Sequence, residues 1–565
     1  MDDHKAVPGG LDEGLIRTLQ QPTSLGIIVT LIAVLLTTRL ISGGSSSFKD
    51  GSKTPPLAPY WTPFLGHLPR IFFNPIYPLM RLRNRYPEGV FSIRVFRNIH
   101  TFIFKPDLSD ALLQQPSAIA DDRAIVRRLM VSNFGLSTKD LDAYDKASSE
   151  VQEKTKEFLT NSHLNVLTEG ALRGLNEQAA DLVSFNSFPI DQMEWEKVSG
   201  AERVEDPSEI IMEADYMELI KTFIARSSNA SVFGTDFIEN FPEVWPQLWA
   251  FDDWFIALAR NIPVWVPWVG GQRARGPLRQ LLSIMREYHE AWEKSLNGEN
   301  PGPKWQDLHN VSQLVKSRIQ IFRKHELSLD VRAAYDLALL WSLNASSTPL
   351  TAWSLLELYQ DPVLLVQVRD EIAPFVNIVQ PRHEFGASVW VPPRVETINL
   401  DALMTKCPLL MATYLETVRL YGGGWSAKWL EEDVVLKEDG QPTYVLKKGT
   451  YAHVLHEIHH SDPKCFPSPH EWQATRHLQD GANGKIEVAN TGSVKPYATN
   501  IPLMRDRHVT PRPKYKIRLL PSSLHHPGYN NTRQWRFRPL TQDYPWHLLY
   551  IGFNPDFFAV HGGDS

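Results

Sequence analysis

The run Cys407-Pro-Leu-Leu-Met-Ala-Thr-Tyr-Leu-Glu416-Thr-Val-Arg419-Leu-Tyr421 decides the fold. Its apolar residues recur at helical spacing, and Glu416 and Arg419, three apart, share one face. Exposed, such a pair contributes little. Here Leu415, Val418 and Leu420 flank it and set it beside an apolar face, where a guanidinium is tolerated only with bidentate carboxylate partners. Downstream, Phe466-Pro-Ser-Pro-His-Glu-Trp472-Gln-Ala-Thr-Arg476 brings a second arginine in a proline-rich, aromatic loop.

Upstream, Ala333-Ala-Tyr-Asp-Leu-Ala-Leu-Leu-Trp341-Ser-Leu-Asn344-Ala-Ser-Ser-Thr348-Pro349 reads as a long apolar helix interrupted by small polar residues and then proline. A proline there removes a backbone hydrogen bond and predicts a kink, with nearby hydroxyls left for water or ligand. A further helix is expected over Asp361–Ile372, a proline-rich hinge at Pro55–Gly66, and a hairpin from Val90-Phe-Ser-Ile-Arg-Val-Phe and Thr101-Phe-Ile-Phe. In this order the segments resemble the cytochrome P-450 haem-thiolate monooxygenases over most of residues 55–497. The resemblance makes Glu416-x-x-Arg419 the family's helix motif and Arg476 its loop arginine. The three would form a network that supports the haem site structurally. It also implies that the interrupted helix lies over the haem.

The likeness then breaks. Where the family's run leads into a glycine-rich loop carrying the thiolate ligand, Ser493-Val-Lys-Pro-Tyr497 continues as Ala498-Thr-Asn-Ile-Pro-Leu-Met-Arg-Asp-Arg-His508-Val-Thr-Pro, without cysteine or glycine. The only cysteines, Cys407 and Cys465, lie earlier and read as ordinary small, partly buried residues. No residue is therefore a candidate metal ligand. The histidines in Tyr451-Ala-His453-Val-Leu-His456-Glu-Ile-His459-His460-Ser-Asp-Pro463 fit no usual zinc spacing and read as a strand ending in a polar loop, and His508 reads as exposed loop. Tyr515–Leu520 reads as a strand closing the domain, so the missing material belongs to the middle. The aromatic stretch 522–565 has no sustained period. A misplaced exon boundary, a decayed gene and a non-catalytic protein on the same fold all remain open.

With 565 residues, 43% apolar content and a net charge of −6 from 58 basic and 64 acidic residues, the chain is large enough for one big core and unsuited to nucleic acid. Two cysteines imply a reducing compartment. Thr23–Ile41 is long and apolar enough to serve as a transmembrane anchor if Arg39 snorkels, and the acidic leader argues against a cleaved signal. Positive charge after the span places the domain in the cytosol. The expected division is a leader (1–22), an anchor (23–41), a Gly/Ser/Pro-rich linker and hinge (42–59), a P-450-like domain (60–521) and an aromatic tail (522–565). The sequons at Asn229, Asn310, Asn344 and Asn530 are taken as chance.

Tryptophans at 245, 249, 254, 265 and 268 are core candidates singly. Clustered with prolines, they suit an interfacial belt and a mouth for apolar ligands. The fold class is mainly α with small β-sheets, of cytochrome P-450 type, incomplete around the proximal haem loop, with one N-terminal transmembrane helix. The resemblance implies haem as cofactor, an NADPH-dependent reductase as electron donor, the endoplasmic reticulum membrane, and a lipophilic substrate from secondary, lipid, terpenoid or steroid metabolism. Ser346, Ser347 and Thr348 are the candidate catalytic hydroxyls, and Lys428 is the candidate for a haem propionate. No acid adjoins the hydroxyls, a pattern similar to the steroid 7-alpha-hydroxylase and prostacyclin-synthase branch, which leaves peroxide isomerisation beside hydroxylation.

Overall fold

The computed structural model describes residues 22–488, apart from 50, 72–75, 160, 205–210, 260–268, 380–393, 423–424, 439–440 and 481–485, together with residues 516–519 and 538–540. Trp265, Trp268, Ser493–Tyr497, His508, Asn530 and most of the aromatic tail lie outside these residues.

The first described element is α1 (Pro22–Ile41), apolar all round and exposing Ile27, Leu31, Ile32, Leu36 and Leu40. Among the described residues no helix is long and apolar enough to cross a membrane. Arg39 donates to the Pro59 carbonyl and stands over the Trp61 ring at 5.5 Å, so it is clamped to the hinge instead of reaching for an interface. The supposed linker is folded too. Gly44 pairs with Leu57 and Ser47 with Lys53 in antiparallel bridges, which Gly43 and Gly44 permit through positive φ.

The hairpin expected near residue 90 is β1 (Val90–Val95) with β2 (Asn98–Ile103), Val90 opposite Ile103. Then come α2 (Pro106–Leu113), the short β3 (Ala120–Asp121), α3 (Leu141–Phe158), α4 (Asn161–Gln178), β4 (Glu202–Val204) and β5 (Ile211–Asp215). The Asp215 side chain caps α5 (Tyr216–Phe233) by accepting the Glu218 amide. α6 (Val244–Asp253), α7 (Val269–Leu296), α8 (Gln313–Lys324) and α9 (Leu329–Asn344) complete a helical layer whose inward faces form the largest core. Trp245 and Trp249 are buried in that core, so packing, and no interfacial belt, accounts for both.

The helix ends at Asn344 and resumes as α10 (Ser347–Gln360). Pro349 forces this gap, since its ring crowds the carbonyl four residues back, at Ala345, and it has no amide to donate. The break therefore falls ahead of the proline. α11 (Pro362–Ile372) follows, then α12 (Pro408–Tyr421). Glu371 at the end of α11 caps α12, its two carboxylate oxygens accepting the amides of Leu409 and Leu410 at 2.9 Å each.

β6 (Trp425–Leu430), the hairpin β7 (Val434–Glu438) and β8 (Gln441–Leu446), and β9 (Tyr451–Leu455) come next. A five-stranded sheet runs β1-β2-β9-β6-β3, with β9 parallel to β2. The histidines after β9 do not form a polar loop. His456–His460 is a helical turn with His456 and His460 buried. The strand expected near residue 515 is β10 (Lys516–Leu519), which with β11 (Arg538–Leu540) makes a second sheet, β11-β10-β5-β4.

Candidate functional site

Glu416 is fully buried on α12 and is satisfied from four directions. Arg419 is bidentate, Nε to Oε2 and Nη2 to Oε1, both 2.8 Å. Arg476 Nε donates to Oε1 at 2.9 Å, the Gln473 amide to the same oxygen at 2.9 Å, and His477 Nε2 lies 2.8 Å from Oε2. Burial alone would raise the Glu416 pKa, but the bonds from Arg419, His477 and Gln473 hold it down to about 2. Arg419 Nη1 also donates to the carbonyls of His460 and Pro469 (2.8 and 2.7 Å), and Arg476 Nη1 to that of Pro467 (2.6 Å). One carboxylate thus pins the loop 460–477 to the helix. The structure brings Glu416, Arg419 and Arg476 together as expected and adds His477, whose only sequence signal was its place next to Arg476.

At the helix break, Thr348 Oγ1 donates to the Asn344 carbonyl at 2.8 Å and Ser347 Oγ to that of Leu343 at 2.6 Å. Both hydroxyl protons are spent across the break on the last carbonyls of α9, whereas Ser346 at the N-cap of α10 makes no side-chain capping bond. Asn344 is locked to α5, since its Nδ2 donates to Asn229 Oδ1 (3.2 Å) and its Oδ1 accepts from Asn229 Nδ2 in return at 2.9 Å. These are two of the sequon asparagines, both buried, so neither is a glycan acceptor in the folded protein. Nothing in the sequence links residues so far apart.

Lys428 on β6 has Nζ 3.7 Å from Asp122 Oδ2 and is largely buried, separate from the Glu416 cluster. At the start of the same strand Trp425 Nε1 donates to His453 Nδ1 of β9 (3.1 Å), and His453 Nε2 meets His100 Nδ1 of β2 at 2.9 Å. An accepting Nδ1 puts the His453 proton on Nε2. Burial, with the Arg128 charge, lowers the His100 pKa to about 4, and burial beside His100 lowers that of His453, so both are neutral. Among the described residues no group of three His, Cys, Asp or Glu is placed to hold a metal.

A second buried charge set, unforeseen, ties four helices of the core. Asp336 on α9 receives Arg318 Nε of α8 at 2.8 Å and lies 3.0 Å from His289 Nε2 of α7. Arg318 also donates to Thr155 of α3 and to the Tyr335 carbonyl.

Residues 284–493 match the family model for cytochrome P450, a span that holds the broken helix and the whole Glu416 cluster. This part of the chain is a cytochrome P450 domain. The chain is similar to "Cytochrome P450 7B1" of Mus musculus, 22% identical over 431 residues that cover 76% of this chain and 75% of that one. A "Cytochrome P450 monooxygenase efuG" of Hormonema carpetanum is 24% identical, over 70% of this chain and 68% of its own length. "25-hydroxycholesterol 7-alpha-hydroxylase" of Rattus norvegicus is 26% identical over 41% of this chain and 49% of its own length. The steroid 7-alpha-hydroxylase side of the expected resemblance is thereby met.

The P450 cofactor is haem, and the residues present do not fit its thiolate ligation. Cys407 is buried, its thiol 3.7 Å from the Glu371 carbonyl, and burial together with the Glu371 charge pushes its pKa up, against the thiolate form. It also starts α12, nine residues or about 13 Å along the helix from Glu416. Cys465 is exposed, not partly buried as expected. No third cysteine exists in the chain.

Proposed function

We propose that this P450 is a membrane-anchored monooxygenase for a lipophilic metabolite of lipid, steroid, terpenoid or other secondary metabolism, and that it oxidises only when its chain includes a cysteine after Tyr497. The Glu416 cluster carries the reading. A buried carboxylate with two arginines and a histidine is expensive unless the loop it pins has a task, and in the family that loop borders the cofactor. Names of sterol hydroxylases and of a fungal monooxygenase among the relatives support the substrate class.

Within that reading the three expected hydroxyls separate. Thr348 and Ser347 shape the break by bonding back to the helix, and Ser346 keeps a proton to donate to water or ligand. Lys428, already neighboured by Asp122, would hold a haem propionate only as a point charge. The apolar face of α1 supports a single-pass anchor in the endoplasmic reticulum, with the domain in the cytosol within reach of an NADPH-dependent reductase.

A second reading, a haem-free binding protein on the same fold, is favoured by the state of Cys407 and Cys465 and applies to the chain in which Ala498 follows Tyr497. The missing acid beside Ser346–Thr348 keeps peroxide isomerisation as a third, recognisable by turnover without reductase or oxygen. The test is a reduced, carbon monoxide-treated spectrum of purified protein made from the sequence as written, beside one made from the full transcript. A thiolate-type band from the transcript protein alone supports the proposal. Its absence from both overturns it, and its presence in both overturns the requirement for a new cysteine.

A further inference from the structure

Trp353 and Tyr421 lie face to face, their ring centroids 4.3 Å apart and their planes within 4° of parallel. Trp353 stands on α10, and Tyr421 is the last residue of α12. Glu357, one turn after Trp353, accepts the Tyr421 hydroxyl through Oε1. A spacing of four on α10 puts the indole and the carboxylate on one face, so a single phenol meets both. All three side chains are half-buried. Burial raises the Glu357 pKa against the pull of the Tyr421 bond, and the Glu416 charge adds to the rise.

Packing accounts for two stacked rings, but not for the company this phenol keeps. A phenol that loses an electron becomes a strong acid, so it is oxidised readily only where a base takes its proton at the same moment. Tyr288 and Tyr335, both buried, donate to the main-chain carbonyls of Phe233 and Tyr144, which are too weak as bases. Tyr444 on β8 does donate to a carboxylate, Glu88 Oε2 at 2.6 Å, but Lys53 opposes its oxidation twice. The Lys53 ammonium binds the same oxygen at 2.6 Å and holds the Glu88 pKa down. It also stands 5.3 Å from the centre of the Tyr444 ring, where a positive charge resists loss of an electron. Tyr421 has the reverse on both counts, with an electron-rich indole against its face and a carboxylate made more basic by burial.

We propose that Trp353, Tyr421 and Glu357 form a one-electron trap that reduces organic peroxyl radicals, the oxidants that arise when an unsaturated lipophilic compound meets oxygen. The peroxyl radical takes one electron from Trp353 and one proton from solvent and leaves as a hydroperoxide. Tyr421 returns the electron to the indole radical cation while its O–H bond breaks and the proton passes to Glu357. A neutral tyrosyl radical then stands beside a carboxylic acid. An ascorbate-type reductant in solution restores the phenol by giving one electron as Glu357 hands the proton back. No step needs haem, so the proposal stands apart from the question of the thiolate.

The test uses the full chain as written, with tris(bipyridine)ruthenium(III) generated by a light flash and persulfate as the oxidant. Freeze-quenched electron paramagnetic resonance identifies the radical. The parent is expected to give a tyrosyl signal that narrows with ring-deuterated tyrosine and rises more slowly in D2O. Tyr421→Phe, which keeps the stack, should lower that signal several-fold and leave an indole-type one. Glu357→Gln should lower it similarly and abolish the D2O effect, while Tyr444→Phe should leave it unchanged. Equal tyrosyl yield from the parent and Tyr421→Phe overturns the site. An undiminished yield with the same D2O effect in Glu357→Gln overturns the part given to the carboxylate. Since Tyr421 and Glu357 also tie α12 to α10, each variant's urea midpoint is measured, and Trp353→Phe provides a second test that spares their bond. It should slow the rise of the tyrosyl signal several-fold, and an unchanged rise overturns the part given to the indole. With peroxyl radicals from a thermal azo initiator, the parent should consume ascorbate several-fold faster than Tyr421→Phe, and equal rates overturn the class of oxidant.

Discussion

Replacing Glu416 by glutamine keeps the shape of the side chain and removes its charge, leaving Arg419, Arg476 and His477 facing a neutral amide. Two routes give the size of the effect. The carboxyl falls from an ordinary 4.5 to about 2 in the folded protein. That drop of about 2.5 pH units, at about 1.36 kcal/mol each, is about 3.4 kcal/mol. Breaking a buried ion pair from one side independently costs about 3–5 kcal/mol. The sign follows from the lowered pKa. The stabilisation is complete above pH 4.5 and is lost as pH falls through about 2, so at neutral pH the variant forfeits all of it. Urea unfolding at pH 7, with tryptophan emission and far-ultraviolet circular dichroism as paired probes, should show the midpoint fall by the equivalent of about 3 kcal/mol. Arg419→Lys should lose less, because a lysine keeps the charge without the bidentate fork. A Glu416→Gln midpoint within about 0.5 kcal/mol of the parent would refute the reasoning, since that is the range of an indifferent surface change.

Acid should destabilise the protein well above the carboxylate range. Burial lowers His67, His100 and His456 to about 4 each, so the unfolded chain takes up protons below pH 6.5 that the folded chain refuses. Each group's contribution, about 3 kcal/mol at most, is present above 6.5 and gone by about 4, and urea midpoints should drop between pH 7 and 5. A flat profile over that interval would contradict it. Asp336→Asn should cost about 3–5 kcal/mol by leaving Arg318 buried without its carboxylate, read by the same unfolding assay. Asn344→Leu should cost about 1–3 kcal/mol by leaving the buried Asn229 Oδ1 without its donor while Asn229 Nδ2 keeps its bond to the Ala225 carbonyl, and Asn229→Leu with Asn344→Leu should cost less than the two singles summed. Gly66→Ala should destabilise by more than about 1 kcal/mol, through positive φ and the Arg94 carbonyl, with no rescue from a smaller neighbour.

What was legible in the sequence is local. Glu416 and Arg419 are one helical turn apart, and β1 and β2 are joined by a turn, so period and spacing revealed both. Arg476 was legible only through family resemblance. What escaped was joined across the fold. Asn229 and Asn344 meet because α5 crosses α9, and Asp336 collects Arg318 and His289 from two other helices. No periodicity encodes such meetings. Composition also misled where it was read as location. Glycines and serines at 43–47 suggest a free linker, yet positive φ lets them fold back on Leu57, and tryptophans beside prolines suggest an interface where Trp245 and Trp249 simply fill the core. The interruption by small polar residues ahead of Pro349 was legible, and the break falls at Ala345 and Ser346 because the proline's clash acts on the carbonyl four residues earlier.

The missing cysteine and the second sheet bear on one another. Before residues 489–515 the chain leaves β5 paired only with β4 on one side. After them, β10 lies antiparallel on the open side, Lys516 opposite Asp215 and Leu519 opposite Met212. An unpaired edge invites aggregation, and here the chain beyond the gap is what covers it. A shifted reading frame would not be expected to return a strand that fits an edge laid down three hundred residues earlier. Loss of an internal, in-frame segment leaves that strand intact and removes only the loop. The transcript should therefore carry extra nucleotides, a multiple of three, between the codons for Tyr497 and Tyr515, encoding a cysteine within a glycine-rich run. An insertion that changes the frame through Lys516–Leu519 would refute this account. So would a transcript identical to the chain as written, and the protein would then have to be treated as a binder that keeps the Glu416 cluster for its backbone contacts alone.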